Sequence, residues 1–311
     1  MNRLSSTTLN SLRRGRTGFT LIELLTVIAI IAVLASLLLP VLARAKSTGK
    51  SAVSSSNLRQ ISYGLAIYAQ SNDDICVPGR PARIGVNSDP RNLYDVGNGQ
   101  QFRPRWFVTL GAQSGLHAFE KPSANPADDN SKCVDNKIFI CPEATDRINN
   151  RNSGYGYNYQ FLGNSRSRVS GGHINFPVRM TELSVPSSTV MAASSLGTSA
   201  GKPVDARKGY RVDGSGDTSA VGNHAWSLDP PRLVMGESDF CDDGNRLPQH
   251  RSAVEGRHRG RAAVVFVDTH VQMMTPEELG YETKMDGSIG ISGHNRYFSI
   301  SGRDDSPPTI R

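Results

Sequence analysis

A long run of apolar residues lies near the start of the chain. In the 25 residues from Phe19 to Ala43 the only charged side chain is that of Glu23. As an α-helix rising about 1.5 Å per residue, this run would reach roughly 37 Å, which is more than the hydrocarbon thickness of a bilayer, about 30 Å. The pattern therefore predicts a membrane-spanning helix that ends at about residue 43.

Helical periodicity continues beyond the apolar run. Leu58, Ile61, Leu65 and Tyr68 recur at spacings of three, four and three residues, so they would line one face of a helix. The turn formers at 72–74 then end the pattern. We predict one helix over residues 19–70, whose outer half packs this apolar stripe against a sheet.

Short apolar runs, separated by long connections rich in Gly, Asn, Ser and Pro, follow the helix. They are typical of β-strands and lie at 106–112, 137–141, 188–195, 233–236, 262–268 and 270–274. Both faces of the run 262–268 are apolar, so this strand should be central, and Asp268 and Thr269 should turn the chain into the next strand. The prediction is an α+β fold in which a long N-terminal helix packs on an antiparallel sheet with long loops.

The same patterns divide the chain into four parts. A basic leader covers 1–18, the helix covers 19–70 and a β-rich extracytoplasmic head covers 71–302. Residues 303–311 are polar and rich in Pro, and we expect a disordered tail there. Within the head, the stretch 197–222 is expected to be a surface loop.

Positive charge is concentrated before the apolar run. Four arginines and no acidic residue lie in the first 18 positions, and leaving them out lowers the formal net charge from +7 to +3. Because Lys and Arg favour the cytoplasmic side of membrane helices, the N-terminus would be cytoplasmic and the chain from about Arg44 onward extracytoplasmic. No later Lys/Arg-rich run is interleaved with aromatic residues, so we expect no nucleic-acid partner.

Three interpretations of the opening segment remain open. A plain membrane anchor leaves Glu23 unexplained, because an acidic side chain near the hydrocarbon costs up to about 3 kcal/mol. A secretory signal peptide could be cut before Lys46, after the small-x-small sequence at 43–45, but its apolar region would be long and would have no use for Glu23. The third interpretation comes from a family resemblance.

The stretch GFTLIELLTVIAIIAVLASLLLP, residues 18–40, resembles the class III signal of type IV prepilins and type II secretion pseudopilins. The resemblance implies cleavage after Gly18, N-methylation of the new N-terminal residue Phe19, an assembly role for Glu23 and a helix bend at Pro40. The implied partners are a prepilin peptidase/N-methyltransferase, other pilin-like subunits and the inner membrane. The chain would cross that membrane once with its head in the periplasm, or reach the cell surface within a filament.

This resemblance also offers a physical role for the acidic side chain. Cleavage after Gly18 would create a charged amine on Phe19, four residues before Glu23 and on the same helical face. Burying either charge alone costs much more than burying the two as a pair. In the family picture the glutamate pairs with the amine of a neighbouring subunit, so Glu23 would select the register in which helices assemble.

The C-terminal half carries a second resemblance. His258, nine further residues and Asp268 resemble the H-X9-DG element of a bacterial group of large pilin-like proteins, and residues 141–163 resemble the Cys-Pro and Tyr-Asn segment of that group. Thr269 stands where this motif has glycine. A β-branched residue resists the positive φ of a type I′ turn, so the hairpin is predicted without its turn type.

Four cysteines in an extracytoplasmic chain favour disulfides, and they are Cys76, Cys133, Cys141 and Cys241. A bridge between Cys133 and Cys141, which bracket seven residues, is preferred, and reduced buried thiols are the alternative.

Metal sites are weakly indicated. The stretch Asp213–Asp217 begins like a calcium loop but departs from the loop pattern later, and carboxylates at 237–245 offer another calcium candidate. Solvated turns are favoured for both stretches, and turn capping is favoured over metal binding for His258, Asp268 and His270. We predict no metal site and no cofactor, with calcium as the alternative.

Catalysis finds little support in the sequence. It has no P-loop and no GxGxxG after a strand, and we expect no enzymatic activity. Two hypotheses follow: a pilin-like or pseudopilin-like structural subunit of a pilus or type II secretion pseudopilus, or an exported or membrane-tethered binding protein or hydrolase that uses residues 1–45 only for secretion.

Overall fold

A computed structural model of the chain describes residues 19–81, 83–86, 88–130, 134–144, 154–168, 173–209, 217–232, 239–241 and 250–308. The chain forms two compact units, one that ends at Lys46 and one from Ser47 to Arg311. The helices are α1 (Leu21–Ser71), α2 (Trp106–Thr109) and α3 (Gly111–Ser114). The strands are β1 (Leu93–Asp95), β2 (Gln100–Phe102), β3 (Tyr155–Tyr157), β4 (Ser165–Arg168), β5 (His173–Asn175), β6 (Val190–Gly197), β7 (Asp239–Cys241), β8 (Ala253–Val254), β9 (Ala262–Phe266) and β10 (Val271–Met274).

Helix α1 confirms the predicted long N-terminal helix to within two residues at its beginning and one at its end. The chain leaves the helix through Asp73 and Asp74, whose φ angles of 52° and 64° are left-handed. The side-chain amide of Asn72 donates to the carbonyl of Tyr68 at 2.7 Å and satisfies part of the helix end. The turn formers therefore stop the helix, as their side chains and backbone preferences predict.

The main sheet is antiparallel and runs in the order β10-β9-β6-β3, with β8 pairing to the end of β6. Val265 faces Val271 across one edge of β9, and Val264 faces Ala193 across the other. The predicted central position of the 262–268 strand is confirmed. A two-stranded sheet, β1-β2, and a three-stranded sheet, β5-β4-β7, complete the described strands. The fold is α+β, a long N-terminal helix with an antiparallel sheet, consistent with a pilin-like fold.

Each face of the main sheet contributes to its own hydrophobic core. Ala263 and Val265 of β9 share a core with the helical stripe Leu58, Ile61 and Leu65, all of it buried. The alternate residues Ala262, Val264 and Phe266 pack in a second core with side chains from the C-terminal segment, including Leu279, Tyr281 and Phe298. This double burial explains why strand β9 is apolar on both faces.

Two predicted strands are wrong. Residues 106–112 form α2 and the start of α3, and residues 137–139 form a 3₁₀ turn capped by the side chain of Asn136. Trp106, Phe107 and Phe139 are fully buried in the core under α1. A short apolar run buried on all sides has no periodicity that separates strand from helix. The run predicted at 233–236 lies outside the described residues.

The β9–β10 hairpin has a three-residue loop. The backbone N–H of Phe266 donates to the carbonyl of His270 at 3.0 Å, and that of Thr269 donates to the carbonyl of Phe266 at 2.9 Å. Thr269 has a φ of 74°. A three-residue loop with its last residue in the left-handed region is the next most common hairpin connection after the two-residue primed turns. The loop requires a positive φ at its last residue. Thr269 adopts this conformation although it is unfavourable for a β-branched residue.

We expect Thr269→Gly to stabilise the protein. The left-handed conformation costs a residue with a Cβ about 1–2 kcal/mol, and glycine removes that cost. Part of the gain is offset by the greater freedom of glycine in the unfolded chain, so the free energy of unfolding should rise by about 1 kcal/mol. Urea titration of the detergent-solubilised protein measures it. Thr269→Val keeps the branched Cβ and should give no gain; equal effects of the two changes would contradict the strain.

The end of the chain is bound to the head as far as Asp305. The carboxylate of Asp304 accepts from the backbone N–H of Asn295 at 2.7 Å, and that of Asp305 accepts from the hydroxyl of Ser299 at 2.9 Å. These contacts place Asp304 and Asp305 on the head rather than in a free tail, because buried Asn295 and Ser299 need partners. Residues 309–311 lie outside the described residues.

Candidate processing and assembly segment

The first turn of α1 is closed by a reciprocal pair of side chains. The backbone N–H of Glu23 donates to the hydroxyl of Thr20 at 3.2 Å, and the backbone N–H of Thr20 donates to Oε2 of Glu23 at 2.8 Å. The Thr20 hydroxyl also donates to the same Oε2 at 2.8 Å. This is a capping box, in which Thr20 is the N-cap and Glu23 is the third helical residue. The carboxylate therefore stabilises the beginning of its own helix.

The predicted sharing of one helical face by Phe19 and Glu23 is not observed. The helix begins at Leu21, so Phe19 lies outside it, before the N-cap. Threonine stops the helix here because its hydroxyl satisfies a backbone N–H that would otherwise have no partner. The T-x-x-E spacing of Thr20 and Glu23 is the sequence signal that would have revealed the cap.

The other oxygen of the Glu23 carboxylate, Oε1, accepts no hydrogen bond within the described part of the chain. Both bonds from Thr20 reach Oε2. A carboxylate has about four lone-pair positions on its two oxygens. Glu23 can therefore cap its own helix and accept a further hydrogen bond from another donor.

The first half of α1 exposes its apolar side chains on every side. Leu21, Leu37 and Leu42 are 82%, 66% and 66% exposed, and Phe19 is 72% exposed. The helix contains a stretch of 18 residues that is strongly apolar and in which no residue is buried. By length and composition this is a helix that can cross a membrane, since an apolar surface of this extent needs lipid or protein to cover it.

Pro40 lies inside this helix, which continues through it to Ser71. Proline has no backbone N–H, so the carbonyl four residues earlier, that of Ser36, loses its helical partner. Such a position weakens the helix locally and favours a kink. The helix bend at Pro40 stays a prediction.

The structure separates His258 from Asp268 and His270, the three residues that were considered as a metal or catalytic group. His258 precedes β9, whereas Asp268 and His270 follow it. Nδ1 of His270 lies 2.6 Å from Oδ1 of Asp268, and the ring of His270 stacks on that of Phe266 with centroids 4.4 Å apart. Asp268 and His270 therefore brace the hairpin loop, the turn-capping role that the sequence favoured.

His258 instead lies beside Cys141, a grouping that sequence reasoning missed. Burial raises the pKa of the Cys141 thiol, but the His258 imidazole, the Arg257 guanidinium and the backbone N–H of Glu143 outweigh it, and the pKa falls to about 6. Arg257 is held there by an ion pair with Glu255 and by the carbonyl of Ser195. Cys141 and His258 are 117 positions apart in the sequence, and this separation gives no spacing signal that could have revealed the group.

The cysteines give no support to the preferred bridge. Cys141 is a free buried thiol, and Cys133 lies outside the described residues. Cys76 is also free and buried, and burial together with nearby Asp74 and Glu182 raises the pKa of its thiol to about 12. A fully buried thiol can serve as a small apolar side chain, which was the alternative to cross-linking.

The two calcium candidates fall largely outside the described residues. Asp217, at the edge of the first candidate, pairs with Lys208 at 2.9 Å and accepts from the backbone N–H of Ser219. Of the second candidate only 239–241 is described. Among the described residues, no group of three His, Cys, Asp or Glu side chains is arranged to hold a metal ion.

Comparison with known proteins identifies the opening segment. Residues 13–39 match the family model described as a prokaryotic N-terminal methylation motif. Searches of curated proteins and of solved structures find no match for the chain. Gly18 is within the match but outside the described residues, and the C-terminal H-X9-DG resemblance stays a prediction.

This match and the apolar helix agree on the class of protein. The methylation motif is the substrate site of prepilin peptidases and is found in pilin subunits. Together with the exposed first half of α1, it supports a type IV pilin-like or pseudopilin-type exported protein that is anchored in a membrane.

Proposed function

We propose that this protein is a structural subunit that is cut after Gly18, methylated on Phe19 and assembled through its N-terminal helix into a pilus or a type II secretion pseudopilus. The observation that carries the proposal is the methylation-motif match over residues 13–39. The match includes three of the four leader arginines, the cleavage position and Glu23.

The chain would enter the inner membrane as a precursor. The leader arginines stay in the cytoplasm, the apolar half of α1 spans the bilayer and the head is in the periplasm. A prepilin peptidase removes the leader and leaves a charged amine on Phe19. This amine has no partner in the apolar phase, where burying an isolated charge is costly.

Assembly would then satisfy the new charge. The free Oε1 of Glu23 is an acceptor for the Phe19 amine of a neighbouring subunit, while Oε2 keeps the capping box with Thr20. Pairing the two charges offsets much of the cost of burying them, and packing the exposed apolar side chains of α1 against other helices holds the filament together. The capping box orients the carboxylate, so neighbouring helices meet in one register.

Mass spectrometry of the protein from its native membrane tests the processing step. We expect the N-terminal peptide to begin with Phe19 and to carry one methyl group, about 14 Da, on its amine. A chain that still begins at Met1 would show an uncut anchor, and one that begins at Lys46 would show a secretory signal. Either result would reject the proposal, and the second would support an exported protein that uses residues 1–45 only for secretion.

A further inference from the structure

A cavity of about 360 Å³ opens between α1 and the β9–β10 region of the head. Its lining residues are Ser47, Thr48, Ser51, His258, Arg259, Arg261 and Met273. These described lining residues comprise two guanidinium groups, one imidazole and three hydroxyl groups, and no carboxylate is among them. The volume is within the range of small-molecule binding sites, roughly 300–1,000 Å³.

One of the two guanidinium groups is uncommitted. Arg259 is exposed and makes no hydrogen bond or ion pair within the described residues. Arg261 donates to the carbonyl of Met273 at 2.9 Å and to both carboxylate oxygens of Glu278 at 3.3 Å, and the ion pair offsets its charge. The net positive charge of the described lining is therefore that of Arg259.

His258 also lines the cavity. The residue is only 4% exposed, and its imidazole lies beside the Cys141 thiol. Neither nitrogen of its ring bonds to an oxygen or nitrogen atom in the described part of the chain. A ligand with acceptor oxygens in the cavity would give the ring N–H an oxygen partner.

Arg259 lies in a tight turn whose backbone conformation is unfavourable for arginine. His258 and Arg261 exchange backbone hydrogen bonds of 2.9 and 3.2 Å around a two-residue turn. The central residues, Arg259 and Gly260, have φ angles of 58° and 84°. Positive φ at both positions is the type I′ pattern, which favours Asn-Gly, whereas arginine is unfavourable at the first position. Strained residues of this kind persist most often at sites with a function.

From this geometry we propose that the cavity binds a phosphate ester. Guanidinium groups suit phosphate because their forked N–H donors match its oxygens, and the hydroxyl groups and imidazole supply further donors around a tetrahedral anion. A single carboxylate has two oxygens and would leave more of these donors unsatisfied. The proposal concerns only the unit from Ser47 onward and does not depend on assembly through the membrane-spanning part of the N-terminal helix.

Two sources can supply this chemistry. Ser47 follows the predicted membrane segment by four residues, so the phosphate of a lipid headgroup is one source. A soluble phosphate ester is the other. Phosphatidylglycerol and sn-glycerol 3-phosphate carry the same glycerol phosphate unit, and they differ in whether the phosphate is presented by a lipid.

Binding is measured with the full-length protein in a phosphate-free detergent. Isothermal titration calorimetry with sn-glycerol 3-phosphate tests the soluble source, and native mass spectrometry with added phosphatidylglycerol tests the lipid. We expect Arg259→Asn to lower the affinity for the bound probe at least tenfold. Asparagine accepts the left-handed conformation, so this variant should unfold at the same urea concentration as the wild type or a higher one.

Arg296→Asn is the matched control, because Arg296 is exposed and does not line the cavity. It should leave both affinities unchanged. Binding of either probe with a loss confined to Arg259→Asn supports the site, and the probe that binds identifies the source. The proposal is overturned if neither probe binds at millimolar concentration, or if Arg259→Asn and Arg296→Asn behave alike.

Discussion

Glu23→Gln should abolish incorporation of this protein into a filament while its precursor is still cut and stable in the membrane. Glutamine keeps the length of the side chain and can complete the capping box with Thr20, since either Glu or Gln occupies this position in capping boxes. What it loses is the negative charge. The Phe19 amine of a neighbouring subunit would then be buried unpaired, at about 3 kcal/mol per contact, which is roughly a hundredfold loss of affinity between subunits.

Thr20→Ala is the matched variant, because it removes the cap and keeps the carboxylate. Losing an N-cap hydroxyl costs about 1 kcal/mol of helix stability. We expect filaments of Thr20→Ala to form at reduced yield, and those of Glu23→Gln to be absent. For both variants, the amount of this protein in sheared surface or pseudopilus fractions is measured relative to the amount that stays in the membrane. If Glu23→Gln assembled normally and Thr20→Ala did not, the carboxylate would act as a cap alone and the charge-pairing mechanism would be wrong.

Asp229→Ala should unfold much of the head, with a loss of about 3–5 kcal/mol in the free energy of unfolding. The Asp229 carboxylate is fully buried and accepts hydrogen bonds from the Tyr159 hydroxyl at 3.0 Å, the Gln160 amide at 2.6 Å and the backbone N–H of Ser252 at 2.7 Å. Alanine leaves all three donors buried without this acceptor. It also removes a negative charge near the buried guanidinium of Arg251. Burial lowers the pKa of this guanidinium, and the negative charge of Asp229 acts against that by raising it.

The stability of the Asp229→Ala variant can be measured by the fluorescence of the protein's own tryptophans. The two tryptophans, Trp106 and Trp226, are both fully buried in the head, so their fluorescence reports its unfolding in urea. Asp205→Ala changes an exposed carboxylate and should alter stability by less than about 0.5 kcal/mol. A similar small effect of Asp229→Ala would mean that the three donors find other partners in the variant.

The hydrophobic pattern predicted those elements whose residues are buried at regular intervals along the chain. The stripe of Leu58, Ile61 and Leu65 predicted the packed half of α1, and alternation in 262–268 predicted the central strand. The strands expected at 106–112 and 137–141 were wrong, because burial on all sides erases the periodicity on which such predictions depend. The hairpin was predicted correctly, but its turn type was not predicted. The three-residue loop requires a positive φ at Thr269, which a β-branched residue disfavours, so the residue type did not indicate the turn.

The sequence by itself determined the segment that carries the methylation motif: a basic leader, Gly18, Phe19, Glu23 and an apolar helix long enough to span a bilayer. These features are contiguous, and helix geometry together with the bilayer thickness is enough to interpret them. Only the tertiary structure decided that Cys141 lies beside His258, that Asp229 joins three distant donors, and that Arg259 and Arg261 share a cavity with hydroxyl groups of α1. Tertiary packing brings together residues that are far apart in the chain, and their separation along the sequence does not predict that they will be in contact.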